Sequence, residues 1–337
     1  MKPKTLADLA AFSARIGRDP EQVQAAGGNT SLKESGLLWV KASGLWLADA
    51  LERDLFVPVR LEAVLQDVDA GAPDPVSAAV VGELNPEGLR PSIETTLHAL
   101  LPHRFVVHTH SVRTIALAIR ADGEARVAER LTGLRWAWVP YRKPGLPLTR
   151  AVAEQLARGA VDVLILGNHG LVVGGATLAD AEALLAEVER RLDAPVQPTT
   201  ERPPGEAGAA LLLRQPAHAR THALAMDPNR LAWATAGSLY PDHVIFLGPA
   251  AAILADGAET KGAPASGSKL FLAPGKGAFL AGDASVSADE LALCLALVLE
   301  RVSPDATLHY LTAEEEAELL DWDAEKYRQT LARTRAD

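Results

Sequence analysis

Apolar and polar positions alternate along the first part of the chain in two rhythms. Short runs rich in branched and aromatic residues predict strands near 37–40, 104–109, 136–139 and 161–166. Between them, apolar positions recurring every three or four residues predict amphipathic helices near 4–17, 111–120, 147–158 and 177–192. The rhythm breaks at Asp193-Ala-Pro-Val-Gln-Pro-Thr-Thr-Glu-Arg-Pro-Pro-Gly205, where four prolines and no apolar period predict a boundary. Beyond it the pattern predicts a helix near 207–225, strands near 231–236, 243–247, 269–273 and 277–281, and helices near 287–302 and 312–333. The chain therefore divides into an N-terminal domain over 1–195, a proline-rich linker over 196–206 and a smaller C-terminal α/β domain over 207–337. The second half does not repeat the first, and no low-complexity tract is present.

Composition narrows what such a chain does. With 337 residues, 48% of them hydrophobic, there is enough apolar material for more than one core. A formal charge of −10 argues against a nucleic-acid partner, because phosphate binding normally requires clustered Lys and Arg. The single cysteine, Cys294, falls in an apolar helical pattern and is expected to pack as a small hydrophobe in a reducing compartment. The first residues lack the apolar core of a signal peptide and no apolar run approaches a membrane span, so a cytoplasmic protein without membrane contact is expected.

The chemistry concentrates in three histidines. His108 and His110 end the apolar run Arg104-Phe-Val-Val-His-Thr-His, and side chains two apart on a strand leave the same face. His169 ends a second apolar run, in Gly-Asn-His-Gly-Leu-Val-Val. Three imidazoles can hold one ion and leave a position open for substrate. A histidine at a strand end can equally be a hydrogen-bonding residue, and the pattern leaves both readings open. Glu94, in Pro-Ser-Ile-Glu-Thr-Thr-Leu-His, lies one helix length before the first pair and supplies a carboxylate within reach of the same point.

Nearer the start, Ala26-Gly-Gly-Asn-Thr-Ser31 and Val40-Lys-Ala-Ser-Gly44 combine glycines with donor side chains. Such loops can wrap an anion, with Lys41 as countercharge, although either can be a plain turn and the lysine a solvated strand end. Other features carry less. His218 and His222 are four apart, as on one helix face, but lack the glutamate that follows the first histidine in zinc peptidases. Gly262-Ala-Pro-Ala-Ser-Gly-Ser-Lys269 imitates a phosphate loop with its last residues in the wrong order and reads as a turn.

Gly-Gly-Asn-Thr-Ser, Lys-Ala-Ser-Gly, Pro-Ser-Ile-Glu, Val-His-Thr-His and Gly-Asn-His-Gly-Leu-Val-Val, in this order, make residues 5–195 resemble the class II aldolase/adducin family. That family includes fuculose-phosphate and rhamnulose-phosphate aldolases and ribulose-phosphate 4-epimerase. The resemblance implies a three-layer α/β/α domain with a central mixed or antiparallel sheet. It implies a divalent ion, zinc by preference, on His108, His110 and His169, and Glu94 as the acid or base that moves a proton at an enediolate carbon. It places a substrate phosphate against Gly28, Asn29, Ser43, Gly44 and Ser92, with Ile93 standing where fuculose-phosphate aldolases carry a second serine.

The implied reaction is cleavage of a ketose 1-phosphate to dihydroxyacetone phosphate and an aldehyde. An epimerase or decarboxylase using the same metal site, and a non-catalytic adducin-like assembly protein, are the alternatives. A homo-oligomer, a tetramer by the family's habit, is implied as well. Tyr141 and Tyr327 are candidates for an acid that reaches across a subunit contact.

Gly237-Ser-Leu-Tyr-Pro-Asp-His-Val-Ile245 and Phe271-Leu-Ala-Pro-Gly-Lys-Gly-Ala-Phe279 resemble the region after the aldolase part of bifunctional rhamnulose-phosphate aldolase/alcohol dehydrogenases. His243 is a further candidate on this basis, facing a cleft, with a turn or capping role as its alternative. Those fusions continue into a dehydrogenase domain that this sequence does not reach, and no nicotinamide chemistry is expected.

Overall fold

The computed structural model describes residues 2–198, 213–254 and 267–334. In chain order the first part runs α1 (Thr5–Gly17), β1 (Asn29–Glu34), β2 (Leu37–Lys41), β3 (Phe56–Arg60), α2 (Leu61–Asp69), α3 (Thr95–Leu100) and β4 (Phe105–Thr109). It continues with α4 (Val112–Ala118), α5 (Gly123–Arg130), β5 (Trp136–Val139), α6 (Leu146–Leu156), β6 (Val163–Leu166), β7 (Gly170–Gly175) and α7 (Leu178–Leu192). Among the described residues these strands form one seven-stranded sheet in the order β3-β2-β1-β4-β7-β6-β5, antiparallel throughout except for the parallel pair β5–β6.

The register follows from local chemistry. Ser35 and Gly36 both adopt positive φ, so β1 and β2 close through a two-residue turn that pairs Glu34 with Leu37 and fits the strands' twist. β4 lies between β1 and β7 and is buried on both faces, which its unbroken apolar run anticipates. Val106 and His108 leave it on one face. There Leu97 of α3, Leu101 just after it, Leu148 and Val152 of α6, Leu164 and Leu166 of β6 and Val172 pack with Val106 into one cluster. Leu38, Val40, Val59, Val64 and Ala99 form a second cluster of β2, β3, α2 and α3 residues. The opposite face carries α1, whose Ser13 hydroxyl bonds that of Thr30, the residue paired with Val107. It also carries α7, which packs on β4 and β7. Helices thus flank a central mixed sheet, as the class II aldolase-like expectation requires.

The later elements are β8 (Leu213–Arg214), α8 (Ala223–Met226), α9 (Pro228–Ala236), α10 (Pro241–Leu247), β9 (Ala252–Ile253), β10 (Leu270–Ala273) and β11 (Gly277–Ala281). α11 (Val286–Leu299), α12 (Ala313–Leu320) and α13 (Asp323–Thr334) complete the chain. A four-stranded sheet, β8-β11-β10-β9, gives this smaller α/β unit its centre among the described residues. α11 is apolar on nearly every side and buried along its length, and it includes Cys294, whose thiol burial pushes up to about 12. By contacts, residues up to Thr114 with Val127–Leu192 form one compact unit, and Ile115–Arg126 groups with residues from Asp193 onward.

Four predicted elements differ. Residues 231–236 and 243–247 are helical in α9 and α10, not extended. Short apolar runs do not separate strand from buried helix, and the deciding signals lie just upstream. Asp227 caps α9 by accepting the Asn229 and Arg230 N–H groups with Pro228 in its first turn, and Pro241 opens α10. The long helix expected near 312–333 is two helices broken at Asp321 and Trp322. Of the helix expected near 207–225, residues 207–212 lie outside the described residues, 213–214 are a strand and helical turns begin only at Ala219. Most of the 262–269 loop and of the proline-rich linker also lies outside them. No helix among the described residues is long and apolar enough to cross a membrane.

Candidate active site

The sheet brings the three histidines together from two strand ends. His108 is on β4, His110 follows it, and His169 lies in the short turn joining β6 to β7, where Asn168 takes a positive φ and the His169 N–H bonds the Leu166 carbonyl at 3.1 Å. β4 and β7 are paired up to Thr109 and Leu171, which carries the turn alongside the His108–His110 pair. Ring centroids are 5.0 Å apart for His108–His110, 4.9 Å for His108–His169 and 5.2 Å for His110–His169. One ring nitrogen from each falls within 4.8 Å of the others, and all three residues are buried.

This donor set fits a divalent ion. His108 Nδ1 is 3.0 Å from the Leu171 carbonyl, and since a carbonyl only accepts, Nδ1 carries the proton and Nε2 keeps its lone pair. A ligating histidine is commonly oriented by a carbonyl in this way. Glycine is required where the chain passes behind the rings: a Cβ on Gly27 would stand 2.7 Å from His110 Nδ1, and one on Gly28, whose φ is +59°, 2.9 Å from the His108 carbonyl.

Glu94 precedes the first turn of α3 and is 4% exposed. Its Oε2 lies 3.4 Å from His108 Nε2 and its Oε1 3.6 Å from His169 Nε2. Burial alone would raise its pKa, but the His108 and His169 imidazoles, the Asn29 amide and His110 reverse this and hold it at about 2. Asn29 opens β1 directly opposite His108 and donates from Nδ2 to Glu94 Oε2 at 2.8 Å and to Ser92 Oγ at 3.2 Å. Ser92 Oγ also accepts the Glu94 N–H at 3.2 Å.

The remaining predicted residues gather around this core. Lys41 is not a solvated strand end: it is 2% exposed, and its Nζ donates to the Ala26 and Gly28 carbonyls at 2.7 and 3.0 Å, fixing the Gly27–Gly28 loop. Ser43 and Gly44 lie beside Ser92, because the Ser43 N–H bonds the Arg90 carbonyl at 2.8 Å and the Ser92 N–H bonds the Lys41 carbonyl at 3.0 Å. Tyr141 is half-buried, and its backbone N is 3.2 Å from where a Cβ on Gly167 would stand, beside the turn that holds His169.

One residue of this neighbourhood, His98, has no role in the sequence argument. His98 is fully buried one turn along α3 from Glu94, and its Nδ1 bonds the Ser31 hydroxyl at 2.7 Å, two residues along β1 from Asn29. Burial drives its pKa down to about 3, so it is neutral. The i, i+4 spacing from Glu94 was the available signal.

The candidates of the second unit have separate surroundings. His218 pairs with Glu290 at 2.8 Å while His222 Nδ1 accepts the Ala278 N–H at 3.0 Å, so the two imidazoles are engaged separately. Tyr327 is half-buried on α13. His243 is fully buried on α10, where its Nδ1 accepts the Leu239 N–H at 3.2 Å, the contact that its capping alternative anticipates.

Burial lowers the His243 pKa to about 3, against about 6.5 in the unfolded chain. Between those values the unfolded chain binds a proton that the folded chain does not, so stability is lost as pH falls through this window. In denaturant titrations between pH 6 and 4, His243→Asn is expected to reduce the slope of unfolding free energy against pH by about 1.4 kcal/mol per pH unit. An unchanged slope would show that His243 takes up its proton in the folded state.

A profile of the Class II Aldolase and Adducin N-terminal domain matches residues 7–194. The uncharacterized oxidoreductase YuxG of Bacillus subtilis is 35% identical over 191 residues, which make up 52% of this chain and 27% of that protein. The chain thus spans well under two thirds of that relative's length. An L-fuculose phosphate aldolase of Methanocaldococcus jannaschii is 27% identical over 170 residues, 48% of this chain and 80% of that protein. Among solved structures, the N-terminal class II aldolase domain of a conserved protein from Thermoplasma acidophilum is 26% identical, covers 57% of this chain and 93% of its own, and superposes with a TM-score of 0.48.

Proposed function

Because the chain belongs to the class II aldolase and adducin family, we propose that it is a metal-dependent aldehyde-lyase that cleaves a ketose 1-phosphate into dihydroxyacetone phosphate and an aldehyde. The observation that carries this reading is the buried Glu94 carboxylate resting on the ring nitrogens of the histidine cluster. A scaffold needs neither. A divalent ion on His108, His110 and His169, zinc by the all-imidazole donor set, would supply Lewis-acid polarisation of the ketose carbonyl.

The protein's own groups do the rest. As the C3–C4 bond breaks, the C4 hydroxyl passes its proton to the Glu94 carboxylate and becomes the aldehyde, and the electron pair left on C3 becomes an enediolate. Glu94 returns a proton to C3 in the cleavage direction and removes it in the aldol direction. The Gly28 loop, Ser43, Gly44 and Ser92 form the wall against which the phosphate rests, and Lys41 acts by holding that loop in shape. Burial of the histidines and Glu94 excludes water from the enediolate.

The test is a coupled assay for dihydroxyacetone phosphate across a panel of ketose 1-phosphates, with zinc supplied. Release from at least one member, abolished by chelation and restored by metal, is expected. Failure on every phosphorylated ketose with metal bound overturns the lyase reading in favour of a decarboxylase or an unphosphorylated substrate.

A further inference from the structure

α7 buries Ala181, Leu185, Val188 and Leu192 at the spacing of an apolar stripe, and one charged residue, Glu189, is buried beside them. A carboxylate taken out of water is costly unless hydrogen bonds replace that water. Glu189 is 8% exposed, and its partners come from two segments. Its Oε1 accepts the Ser111 hydroxyl, and its Oε2 accepts the Gln22 amide at 2.8 Å and the Arg113 guanidinium at 3.3 Å. Ser111 and Arg113 directly follow His110, and Gln22 lies in the turn that leads to Gly27. We propose that Glu189 is a positioning residue for His110, anchoring the segment after β4 so that the His110 imidazole can share one ion with those of His108 and His169. The inference rests on the metal site of the lyase reading.

His110 needs such an anchor where His108 does not. β4 pairs with β1 as far as His108 and with β7 as far as Thr109, so His110 stands past the last rung on both sides. Loop and side-chain bonds take over from the sheet there. The Gln24 amide donates to the His110 carbonyl at 3.3 Å, the Val112 N–H bonds the Glu21 carbonyl at 2.9 Å, and Arg113 pairs with Glu21 at 2.8 Å. Ser111 Oγ accepts the Thr114 N–H at 3.1 Å as a cap for α4, which leaves its own proton for Glu189. Gln24 also fixes the loop behind the ring, since its carbonyl accepts the Gly27 N–H at 2.9 Å and Gly27 has no room for a Cβ against His110 Nδ1. Glu189 joins both segments to α7, which itself packs on β4 and β7. The backbone of His110 and the loop behind its imidazole are thereby set against one helix.

The experiment measures zinc affinity of the full chain by competition with a chelator, beside the visible absorption of the cobalt-loaded protein, which reports ligand geometry. Glu189→Gln keeps an acceptor for Ser111 but turns an amide donor toward the Gln22 amide and the Arg113 guanidinium. It is expected to weaken zinc binding about tenfold, the low end of what partners behind a ligand are worth, and to alter the cobalt spectrum. Exchanging the pair, Gln22→Glu together with Glu189→Gln, restores the amide–carboxylate bond in reverse and should recover most of that loss. Ser111→Ala, which removes a single hydroxyl, is expected to weaken zinc binding in the same direction and carries the test if Glu189→Gln does not fold.

Unchanged zinc affinity and cobalt spectrum, with only the thermal stability of the metal-free protein lowered, would make Glu189 a residue that holds the fold and overturn the proposal. An exchanged pair that recovers stability without affinity would overturn it as well. Wild-type protein that binds no zinc would overturn the proposal and the lyase reading together. Wild-type protein that binds zinc but incorporates no deuterium from D2O into C3 of dihydroxyacetone phosphate fails the lyase reading alone, and the affinity comparison still decides the role of Glu189.

Discussion

Glu94→Gln is expected to lower saturated turnover and deuterium exchange by about a thousandfold, within the range that a positioned acid or base supplies, while the protein keeps its metal. Glutamine matches the shape of glutamate, so the Asn29 contact can persist through its carbonyl oxygen, and the Ser92 contact, made by the backbone N–H of residue 94, is untouched. It can neither take nor return a proton. The His108 and His169 imidazoles, the Asn29 amide and His110 hold the wild-type carboxylate charged against burial. Three measurements read the result: metal content, KM and the exchange rate. Turnover within tenfold of wild type would remove Glu94 from the proton step. Loss of metal together with activity would make the carboxylate a ligand first and a base second.

Much of this centre was legible in the sequence because it depends on strand periodicity. His108 and His110 had to leave β4 near one another, and His169 had to follow a strand able to pair nearby. The continuous apolar runs at β4 and β6 identify themselves, since buried strands carry no polar alternation, and the partly exposed edge strand β5 shows itself by its Trp-Ala-Trp-Val composition. β1 hides for the opposite reason. Its residues Asn-Thr-Ser-Leu-Lys-Glu are polar because the strand supplies side chains to the site and to Ser13 and His98, so composition reads it as a turn.

The positions of Asn29 and Lys41 were also legible, but their partners were not. Which acceptors an amide or an ammonium meets depends on strands and loops far apart in sequence, and spacing carries no information about them. In the second unit the apolar segments of α9 and α10 resemble strands, and only the residues just before them, Asp227-Pro228 and Pro241, mark helix starts.

His110→Ala is expected to lose at least tenfold in metal affinity, since even partners behind a ligand are worth about 10–100-fold and a ligand is worth more. His110 is the best of the three to remove, because its ring packs against the Gly27–Gly28 loop and its loss takes no bond from the β4–β7 ladder. Thermal unfolding with and without zinc reads the same change as stability. At a free metal concentration of about 100 times Kd, binding stabilises the folded protein by about 2.7 kcal/mol, and the variant should gain far less. Comparing each protein with itself keeps any intrinsic loss of stability out of the result. His103→Ala is the control: His103 bonds Asp162 at 2.9 Å and is not among the clustered histidines, so its replacement should leave the metal-dependent gain intact. If His110→Ala takes up zinc and is stabilised by it as wild type is, the ion is held elsewhere. The geometry that joins Glu94 to a polarised carbonyl then fails, and the family fold would be serving assembly rather than catalysis.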